Sequence, residues 1–487
     1  MVVACSISRL HFIRFPPFLC LQSSSYACHS KLILKRFLGA SSTQLVLHAR
    51  QLCSSANYLS LSTHSNPSEL VVLGIETSCD DTAVAVVGFL HLFVKGDRKI
   101  LSQVISSQAD LLERYGGVAP KMAEEAHSEV IDKVVQDALE MAKISPKDLS
   151  AVAVTIGPGL SLCLRVGVRK ARNIAGSFSL PIIGVHHMEA HALVARLTEP
   201  ELHFPFLALL ISGGHNLLVL AKGVGEYVQL GTTIDDAVGE AYDKVAKWLG
   251  LCMRRSGGPA IEELALYGDP KSNKFSTPMK QHKDCNFSYA GLKTQVRLAI
   301  ESKKIDNTIE ISSATEEDKK CRADIAASFQ RVAVLHLEER CERAIEWGRK
   351  IEPSMKHLVV SGGVASNLYV RSRVQEMAKR NGLEVVIPPA GLCTDNGAMV
   401  AWVGIENLGM GRFDLPPPPD ESEDTLVSDW KCFVRMREYG FVLQYDVRPR
   451  WPLGEQYDMG KSASRSLRTA RIHPSLTSIT LSSLSGQ

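Results

Sequence analysis

Acidic residues are missing from the first 68 positions of this chain. The stretch contains many Ser and six basic residues, namely Arg9, Arg14, Lys31, Lys35, Arg36 and Arg50. An acid-free leader rich in Arg and Ser is typical of an organelle transit peptide, so residues 1–68 are predicted to be a disordered transit peptide. A disordered N-terminal arm is the alternative. A secretory signal is disfavoured, because Arg14, Pro16 and Pro17 interrupt its apolar segment.

Long apolar runs, paired cysteines and a surplus of basic charge are also missing. No run of about 18 uninterrupted apolar residues occurs, so we expect no membrane-spanning segment. The twelve Cys include no Cys-x-x-Cys pair, and four fall in the leader, which argues against a zinc cluster and a disulfide framework. Removing the leader's six basic residues from the total of 55 leaves 49 against 52 acidic residues. Binding to nucleic acid would therefore depend on local basic patches.

What the sequence does contain is an alternation of short apolar strands and amphipathic helices. Its 487 residues, 45% of them hydrophobic, are enough for about three globular domains. Two apolar runs at 70–76 and 83–87 flank a polar turn, which predicts a hairpin with hydroxyl and carboxyl groups at its tip. Such a tip either holds phosphate oxygens and their cation or is merely solvated. Apolar patterning predicts further strands at 149–156, 181–185, 206–211, 357–360 and 383–387, and helices at 121–143 and 324–347.

Two histidines follow the predicted strand at 181–185. His187 and His191 are four residues apart, which places them on one face of a helix, about one turn from each other. Two imidazoles so placed can share a divalent cation and leave coordination positions open to substrate or water. Asp395 offers an acidic third ligand. The alternative is that one His packs or caps while the other is solvated, but the accompanying glycine loops favour a metal site.

Two strands end in the same short motif, Ser-Gly-Gly. The first is Ser212, Gly213 and Gly214 after the strand at 206–211, and the second spans 361–363 after the strand at 357–360. Glycines let a backbone approach a ligand closely, and their amides can face anionic oxygens, helped by a following helix N-terminus. The pair of loops therefore predicts a site for phosphate groups.

The sequence also predicts the local structure of several other segments. A glycine turn at 157–160 leads into a helix whose basic residues either meet RNA phosphates or form a solvated face; they are Arg165, Arg169, Lys170 and Arg172. Two prolines at 200 and 205 suggest a domain joint, residues 232–244 suggest a capped helix, and 301–320 suggest a polar surface insertion. Four consecutive prolines at 416–419 suggest a stiff linker.

Taken together, these motifs resemble those of the TsaD (Kae/Gcp) family, tRNA threonylcarbamoyladenosine transferases once labelled O-sialoglycoprotein endopeptidases. The resemblance extends over about residues 70–455. The matching stretches are 74–80, 157–160, 186–191, 211–215, 234–237, 242–244, 361–367, 394–398 and 448–453.

The resemblance implies an α/β chain with a two-lobed fold like that of actin, Hsp70 and sugar kinases, with a nucleotide cleft between the lobes. We therefore expect a first lobe at 69–204 and a second at 205–392. A C-terminal helix and extension at 393–455 would return to the first lobe. Residues 456–487 would form a disordered, basic, Ser-rich tail.

The resemblance also implies a ligand set. His187, His191 and Asp395 would hold one divalent cation per subunit, with iron and zinc as the expected metals. Substrate contacts for an adenylate or ATP-type nucleotide would fall on Leu210, Ile211, Ser212, Gly213, Gly214, Asp243, Gly258, Glu262 and Asn367. Asp81 would be the catalytic carboxylate, at a position where bacterial members usually have Glu.

The activity implied is acyl transfer to RNA. The threonylcarbamoyl group of threonylcarbamoyl-adenylate would pass to the exocyclic N6 amine of adenosine 37 in organellar tRNAs that read ANN codons, releasing AMP. The expected partners are tRNA, a separate adenylate-forming enzyme and a second copy of the chain. The expected location is the mitochondrion, in the matrix or on the face of the inner membrane, with the plastid as the alternative.

Two other activities remain open from the residues. A metallopeptidase helix of the His-Glu-x-x-His type has its general base directly after the first His. Here Glu189 comes two residues after His187, which turns it about 200° away from the histidine face. An ATPase or sugar kinase of the same fold would explain the glycine loops but leave the histidines without a role.

Overall fold

The computed structural model describes residues 69–90, 97–108, 119–252, 256–417 and 446–459. The predicted transit peptide at 1–68 lies outside these residues, and so do residues 460–487 of the predicted tail and the second half of the predicted proline linker. Among the described residues, no helix is both long enough and apolar enough to cross a membrane.

The first lobe is built on a five-stranded sheet in the order β3-β2-β1-β4-β5. β1 and β2 are antiparallel and connected by a short turn, which confirms the predicted hairpin, and β4 and β5 run parallel to β1. The central strands consist mostly of buried Val, Ile, Leu and Ala, as expected for strands covered on both faces. The strand bounds are β1 Glu69–Glu76, β2 Asp81–Leu90, β3 Asp97–Ser107, β4 Ala151–Gly157 and β5 Ile182–His186.

Three helices belong to this lobe: α1 Pro120–Ala142, α2 Ser161–Phe178 and α3 His187–Thr198. α1 begins with Pro120, whose missing amide proton costs nothing at a helix start. Within α1, His127 is fully buried and its ring lies 2.7 Å from Thr82 Oγ1 and 3.1 Å from the Cys79 carbonyl oxygen. His127 therefore fastens the hairpin turn to α1, in keeping with the structural role that histidines in helices commonly have.

The second lobe repeats the plan of the first. Its sheet has the order β10-β9-β6-β7-β8-β11, in which β6, β7 and β8 are antiparallel neighbours and β9 and β10 run parallel to β6. Numbered within each lobe, the first sheet has the order 3-2-1-4-5, and the second has the same order with β11 added beside its third strand. This repetition confirms the expected two-lobed α/β fold. The strand bounds are β6 Phe206–Ile211, β7 Asn216–Gly223, β8 Glu226–Thr232, β9 His357–Ser361, β10 Glu384–Val386 and β11 Glu455–Gln456.

The remaining helices lie between and after these strands. They are α4 Val238–Trp248, α5 Gly257–Ala265, α6 Ala290–Ser302, α7 Glu316–Ile351, α8 Leu368–Arg380, the single turn α9 Ala390–Cys393 and α10 Gly397–Gly409. One predicted helix begins later than expected. Residue 232 ends β8 and residues 233–237 form a turn, so the helix starts only at Val238.

Arg322 organises the segment that the sequence suggests is a surface insertion. Its side chain is fully buried and donates hydrogen bonds to the carbonyl oxygens of Leu249, Ile309 and Asp306. It also forms an ion pair with Asp318 at 2.6 Å. The exposed residues of 303–315 are therefore fixed to α7 from inside, because a buried guanidinium must find partners for its donors.

The segment at 446–459 connects the two lobes. Arg448 N donates to the Ile156 carbonyl at the end of β4, and the His186 ring lies 3.0 Å from the Trp451 carbonyl oxygen. Further along, Glu455–Gln456 pairs with β8 of the second sheet. Residues 456–459, which the sequence places in the tail, therefore belong to the described structure.

Replacing Arg322 with Met should lower the free energy of unfolding by about 3 kcal/mol, because Asp318 and three buried carbonyl oxygens lose their donor. Replacing the exposed Arg297, which pairs with Glu301 on α6, with Met should change it by less than about 0.5 kcal/mol. Urea unfolding followed by fluorescence measures both. Equal effects of the two substitutions would contradict the anchoring role of Arg322.

Candidate metal and nucleotide site

The two histidines and the distant aspartate meet, as the sequence predicts. His187 and His191 lie on α3, with ring centroids 4.7 Å apart, and both face Asp395. Asp395 Oδ1 is 3.0 Å from His191 Nε2 and 3.6 Å from His187 Nε2. Both rings are buried, whereas about a quarter of the Asp395 side chain is exposed. The two histidines of the cluster are therefore enclosed by the protein, whereas its carboxylate is accessible to solvent.

Glycines bring Asp395 to this position. A Cβ atom at Gly74 of β1 would lie 2.3 Å from both Ala401 N and the Gly397 carbonyl oxygen. A Cβ atom at Gly397 would lie 2.3 Å from Ala85 N of β2. α10 thus rests directly on the backbones of β1 and β2, which no larger residue would permit. Asp395 precedes this helix by two residues and is carried with it.

Glu76 is a site residue that the sequence reasoning missed. It ends β1, is fully buried, and places Oε2 3.2 Å from His187 Nδ1. Thr155 Oγ1 donates to the same carboxylate at 2.5 Å and Ser78 N donates at 2.6 Å. Because a carboxylate only accepts, it fixes the proton of His187 on Nδ1 and turns Nε2 towards Asp395. The sequence feature that could have identified Glu76 is its place as an acidic residue at the end of an otherwise apolar strand.

The charges of the cluster stabilise one another. Burial opposes ionisation of Asp395, but His187 and His191 hold the pKa of this carboxyl well below its usual range. Burial likewise opposes a charged His187, yet Asp395 and Glu76 raise its pKa to about 9. The pKa of Glu76 is lowered despite burial, mainly by the charge of His187. Oppositely charged neighbours are the cause in each case.

The donor set fits a divalent cation. A cation bound at about 2.1 Å by His nitrogen and carboxylate oxygen separates its ligand atoms by about 3 to 3.5 Å. The Asp395 oxygen lies 3.0 Å from His191 Nε2 and 3.6 Å from His187 Nε2, close to this range, and the three residues offer ligand atoms within 4.8 Å of one another. Two imidazoles and one carboxylate also leave coordination positions for a substrate oxygen.

The two Ser-Gly-Gly loops lie side by side. β6 and β9 are parallel neighbours with Leu210 opposite Ser361, so both motifs start at the same edge of the sheet. Gly362 has φ +99°, and a Cβ there would lie 2.3 Å from the Ile211 carbonyl oxygen. Gly363 approaches Thr394, the neighbour of Asp395. The loops therefore adjoin the metal-type cluster.

One expectation about these loops is wrong. The first loop is a hairpin turn between β6 and β7, so no helix follows it directly. Instead α4 meets it in space, and the carbonyl oxygens of Ser212 and Gly213 accept hydrogen bonds from Gly239 N and Glu240 N. These helix amides therefore donate to the backbone of the loop and are not available to a ligand. Gly213 and Gly214 have open space where a Cβ would be, so a ligand can reach their backbone.

The other predicted substrate residues form a connected row in the second lobe. Asp243 on α4 accepts from Gly257 N, the first residue of α5, at 2.6 Å. Glu262 on α5 accepts from Leu368 N at 2.6 Å, at the start of α8. Asn367 caps α8 by accepting from Val370 N at 2.9 Å. Gly258 has open space at its Cβ position. Asp243 and Glu262 therefore tie one helix to the N-terminus of the next, and Asn367 caps the last of these helices.

Asp81 starts β2, close enough to the cluster to respond to its charge. Burial raises the pKa of Asp81 to about 6, a hydrogen bond with Ser107 opposes this, and the carboxylates of Asp80, Asp395 and Glu76 raise it further. Its Oδ1 atom is buried and has no hydrogen-bond partner among the described residues. This carboxyl is therefore poised to exchange a proton near neutral pH.

Glu189 points away from the cluster, in line with its predicted rotation from the histidine face. It is buried and accepts from Gly225 N and from Tyr227 Oη, both at 2.8 Å. Burial raises its pKa. The contact joins α3 to the β7–β8 turn of the second lobe. Because Glu189 is occupied there, it offers no general base to a metal-bound water, which argues against a metallopeptidase.

Replacing Glu76 with Gln should weaken Zn²⁺ binding by about 10- to 100-fold, because the amide no longer supplies the charge that orients His187. Titration calorimetry of the metal-free protein measures this. A matched control is Glu338→Gln, which alters a buried carboxylate paired with Arg373 in the second lobe. Zinc affinity of the Glu76 variant within twofold of the unaltered protein would contradict the assignment.

Known proteins resemble this chain over much of its length. A family model described as TsaD, tRNA N6-adenosine threonylcarbamoyltransferase, matches residues 99–402. A probable mitochondrial tRNA N6-adenosine threonylcarbamoyltransferase of Arabidopsis thaliana is 68% identical over 423 residues, which cover 86% of this chain and 83% of the relative. The mitochondrial enzyme of Xenopus tropicalis is 45% identical, covering 70% and 83%.

A bacterial relative extends the match. The tRNA N6-adenosine threonylcarbamoyltransferase of Rhizobium etli is 45% identical over 367 residues, which cover 73% of this chain and 96% of the relative. The family model spans most of both lobes, including α3, both glycine loops and Asp395. On this evidence the chain belongs to the TsaD family of tRNA N6-adenosine threonylcarbamoyltransferases.

Proposed function

We propose that this chain transfers the threonylcarbamoyl group from threonylcarbamoyl-adenylate to the N6 amine of adenosine 37 in organellar tRNAs that read ANN codons, releasing AMP. The observation that carries the proposal is that a His-His-Asp cluster adjoins two glycine loops, and that both loops start at the same edge of one sheet. A peptidase of the His-Glu-x-x-His type would need its base directly after the first histidine, where this chain has Met188, and a kinase would need no such cluster.

The chemistry explains why both parts are needed. The exocyclic amine of adenosine is a weak nucleophile because its lone pair is delocalised into the purine, so the acyl group must arrive as a mixed anhydride. The amine nitrogen bonds to the carbamoyl carbon, the carbon–oxygen bond to the phosphate breaks, and AMP leaves with the electron pair. Position 37 lies in a single-stranded loop, where a base can be presented without melting a duplex.

The residues proposed to hold the cation are His187, His191 and Asp395, with iron or zinc as the metal. When bound, it would supply a Lewis acid for the phosphate or carbamoyl oxygens and offset charge as the anhydride bond breaks. Glu76 orients His187 for this task. The row of Asp243, Glu262 and Asn367 would shape the pocket for the adenylate, and the open backbone of the glycine loops would face its phosphate.

Asp81 is proposed as the proton acceptor for the attacking amine. Its unpartnered buried oxygen and raised pKa suit a group that takes up a proton near neutral pH. Closure of the lobes proposed at 69–204 and 205–392 would exclude the water that hydrolyses the anhydride.

The cellular setting is also proposed. The acid-free leader and the mitochondrial names of two relatives support import into mitochondria, in the matrix or on the face of the inner membrane, with the plastid as the alternative. A separate enzyme would supply threonylcarbamoyl-adenylate, and two copies of the chain would form the working unit.

Replacing His187 or Asp395 with Ala should abolish threonylcarbamoyladenosine formation, measured by mass spectrometry of nucleosides from tRNA incubated with the adenylate. The control is His203→Ala, which changes an exposed histidine outside the candidate site and should retain full activity. Circular dichroism should show all variants folded. Wild-type rates in the His187 and Asp395 variants would refute the proposed site.

The acid limb of the pH profile should report Asp81. Because its pKa is raised to about 6, the carboxyl becomes protonated as pH falls through that value and can no longer accept a proton. We expect kcat/KM to decline below about pH 6, and Asp81→Asn to lower the rate about 10²-fold or more and remove that limb. An unchanged acid limb in the Asn variant would show that another group titrates.

A further inference from the structure

A second charged feature lies outside the cluster, in the segment 270–283 that precedes α6. These 14 residues contain four lysines and no acidic residue, although the chain beyond the leader is nearly neutral. The side chains are exposed, and none of the four forms an ion pair with any residue that the structure describes; they are Lys271, Lys274, Lys280 and Lys283. We call residues 270–283 the lysine loop.

The backbone of the lysine loop is fixed from inside by arginines of α7. Arg340 is 1% exposed and donates to the carbonyl oxygens of Met279, His282 and Asp284 at 2.5 to 2.7 Å. Arg343 adds a bond to the Asp284 carbonyl oxygen at 2.7 Å. Because Arg340 and Arg343 are themselves positively charged, they hold the loop without balancing the charge of its lysines.

The first half of the loop is fixed in the same way. Arg331 Nε donates to the Pro270 carbonyl oxygen at 2.7 Å, and Asn273 N donates to Ser328 Oγ at 3.1 Å. Ser276 N donates to Gln295 Oε1 at 2.8 Å. The backbone of the loop is thus held in place and its basic side chains are exposed. A fixed backbone lowers the entropy lost when a ligand binds.

Two acidic residues, Asp269 and Asp284, flank the loop. Asp284 is 1% exposed, accepts from Asn286 N at 3.0 Å and lies 3.7 Å from Arg340 Nη1. Asp269 accepts from the backbone amide of Lys271 at 2.9 Å. Neither carboxylate forms an ion pair with a lysine of the loop among the residues that the structure describes.

Hydrogen bonds connect the lysine loop to the glycine turn beside the candidate site. The chain continues from the loop to Phe287, whose amide donates to the Thr232 carbonyl oxygen at 2.9 Å. Tyr289 N then donates to Asp235 Oδ1 at 2.9 Å. In the same turn, Thr233 N donates to the carbonyl oxygen of Asn216, the residue that follows the Ser-Gly-Gly-His stretch.

We propose that the lysine loop binds the sugar–phosphate backbone of the substrate tRNA while its anticodon loop enters the cleft. The partner class follows from the chemistry: four exposed ammonium groups on an ordered backbone attract a polyanion with closely spaced charges. The inference rests on the proposed function, which supplies RNA as that polyanion. Lysines reach phosphates as point charges without reading bases, so the loop contributes affinity and position, and no sequence preference.

The basic face of α2, for which the sequence leaves RNA contact and a solvated face as alternatives, is less suited to the task. Lys170 is paired with Asp132 at 2.7 Å. Other acidic residues lie on α1, against which α2 packs. By contrast, no lysine of the lysine loop forms an ion pair with a described residue.

The test replaces Lys271, Lys274, Lys280 and Lys283 with Ala in the full chain and measures binding of labelled tRNA by fluorescence anisotropy between 50 and 200 mM KCl. At 100 mM salt the Kd should rise about tenfold or more. The slope of log Kd against log salt should fall by about 3, because each lost phosphate contact releases roughly 0.7 to 0.9 fewer counterions. In turnover assays KM for tRNA should rise, while kcat stays within about twofold.

Two further variants separate charge at this place from charge in general. The quadruple Lys→Arg variant of the loop keeps the charges and should restore binding. A matched variant removes four exposed lysines elsewhere, Lys133, Lys143, Lys147 and Lys379, and should bind tRNA within about twofold of the unaltered protein. Zinc binding, measured by calorimetry, should be unchanged in every variant, which shows that the fold and the cluster are intact.

The outcomes separate failure of the inference about the lysine loop from failure of the proposed function on which it rests. Unaltered tRNA binding by the loop Ala variant would overturn the inference alone, provided that the unaltered protein binds and modifies tRNA. An equal loss in the matched variant would also overturn it, since the effect would then be one of net charge. If the unaltered protein neither binds nor modifies tRNA, the proposed function itself is wrong.

Discussion

The contact of α10 with the backbones of β1 and β2 is the constraint on which the candidate site depends. Asp395 and the histidines are separated by about two hundred residues of chain, and only the Gly74–Gly397 contact lets the helix sit deep enough to bring them within 3.0 to 3.6 Å. A Cβ atom at either glycine would lie 2.3 Å from facing backbone atoms, so the helix would have to move outwards. The carboxylate would then leave the histidines.

Duplicated topology explains why the remaining parts converge. Each lobe presents the carboxyl ends of parallel strands at one edge, where loops of α/β proteins commonly bind ligands. In the first lobe this edge supplies Glu76 at the end of β1 and the histidine helix after β5. In the second it supplies both Ser-Gly-Gly loops after β6 and β9. The lobes are further joined through Glu189 and the segment at 446–459.

Sequence patterns predicted what depends on short-range order. Apolar runs indicated the principal strands, and the spacing of His187 and His191 indicated a shared helical face. The role of Glu76 could not be read in this way, because a single acidic residue in an apolar strand has no periodicity and its partner lies 111 residues away. The surroundings of the first glycine loop were missed for a similar reason. The helix that meets it comes after two further strands, so the contact is purely tertiary.

The proposed substrate residues show a related limit. Asp243, Glu262 and Asn367 were expected as ligand contacts, and the structure shows that each also caps a helix. A substitution there would alter the pocket's framework as well as any contact with a ligand, so loss of activity alone would not reveal a direct role. The metal-type cluster is easier to interpret, because its ligand atoms converge on a common point.

The most direct measurement is an anomalous-difference map from crystals of the zinc-loaded protein, recorded at the zinc edge. The account predicts one peak per chain within about 2.0 to 2.2 Å of His187 Nε2, His191 Nε2 and an Asp395 oxygen. A peak bound by other residues, or none between these three side chains, would contradict it.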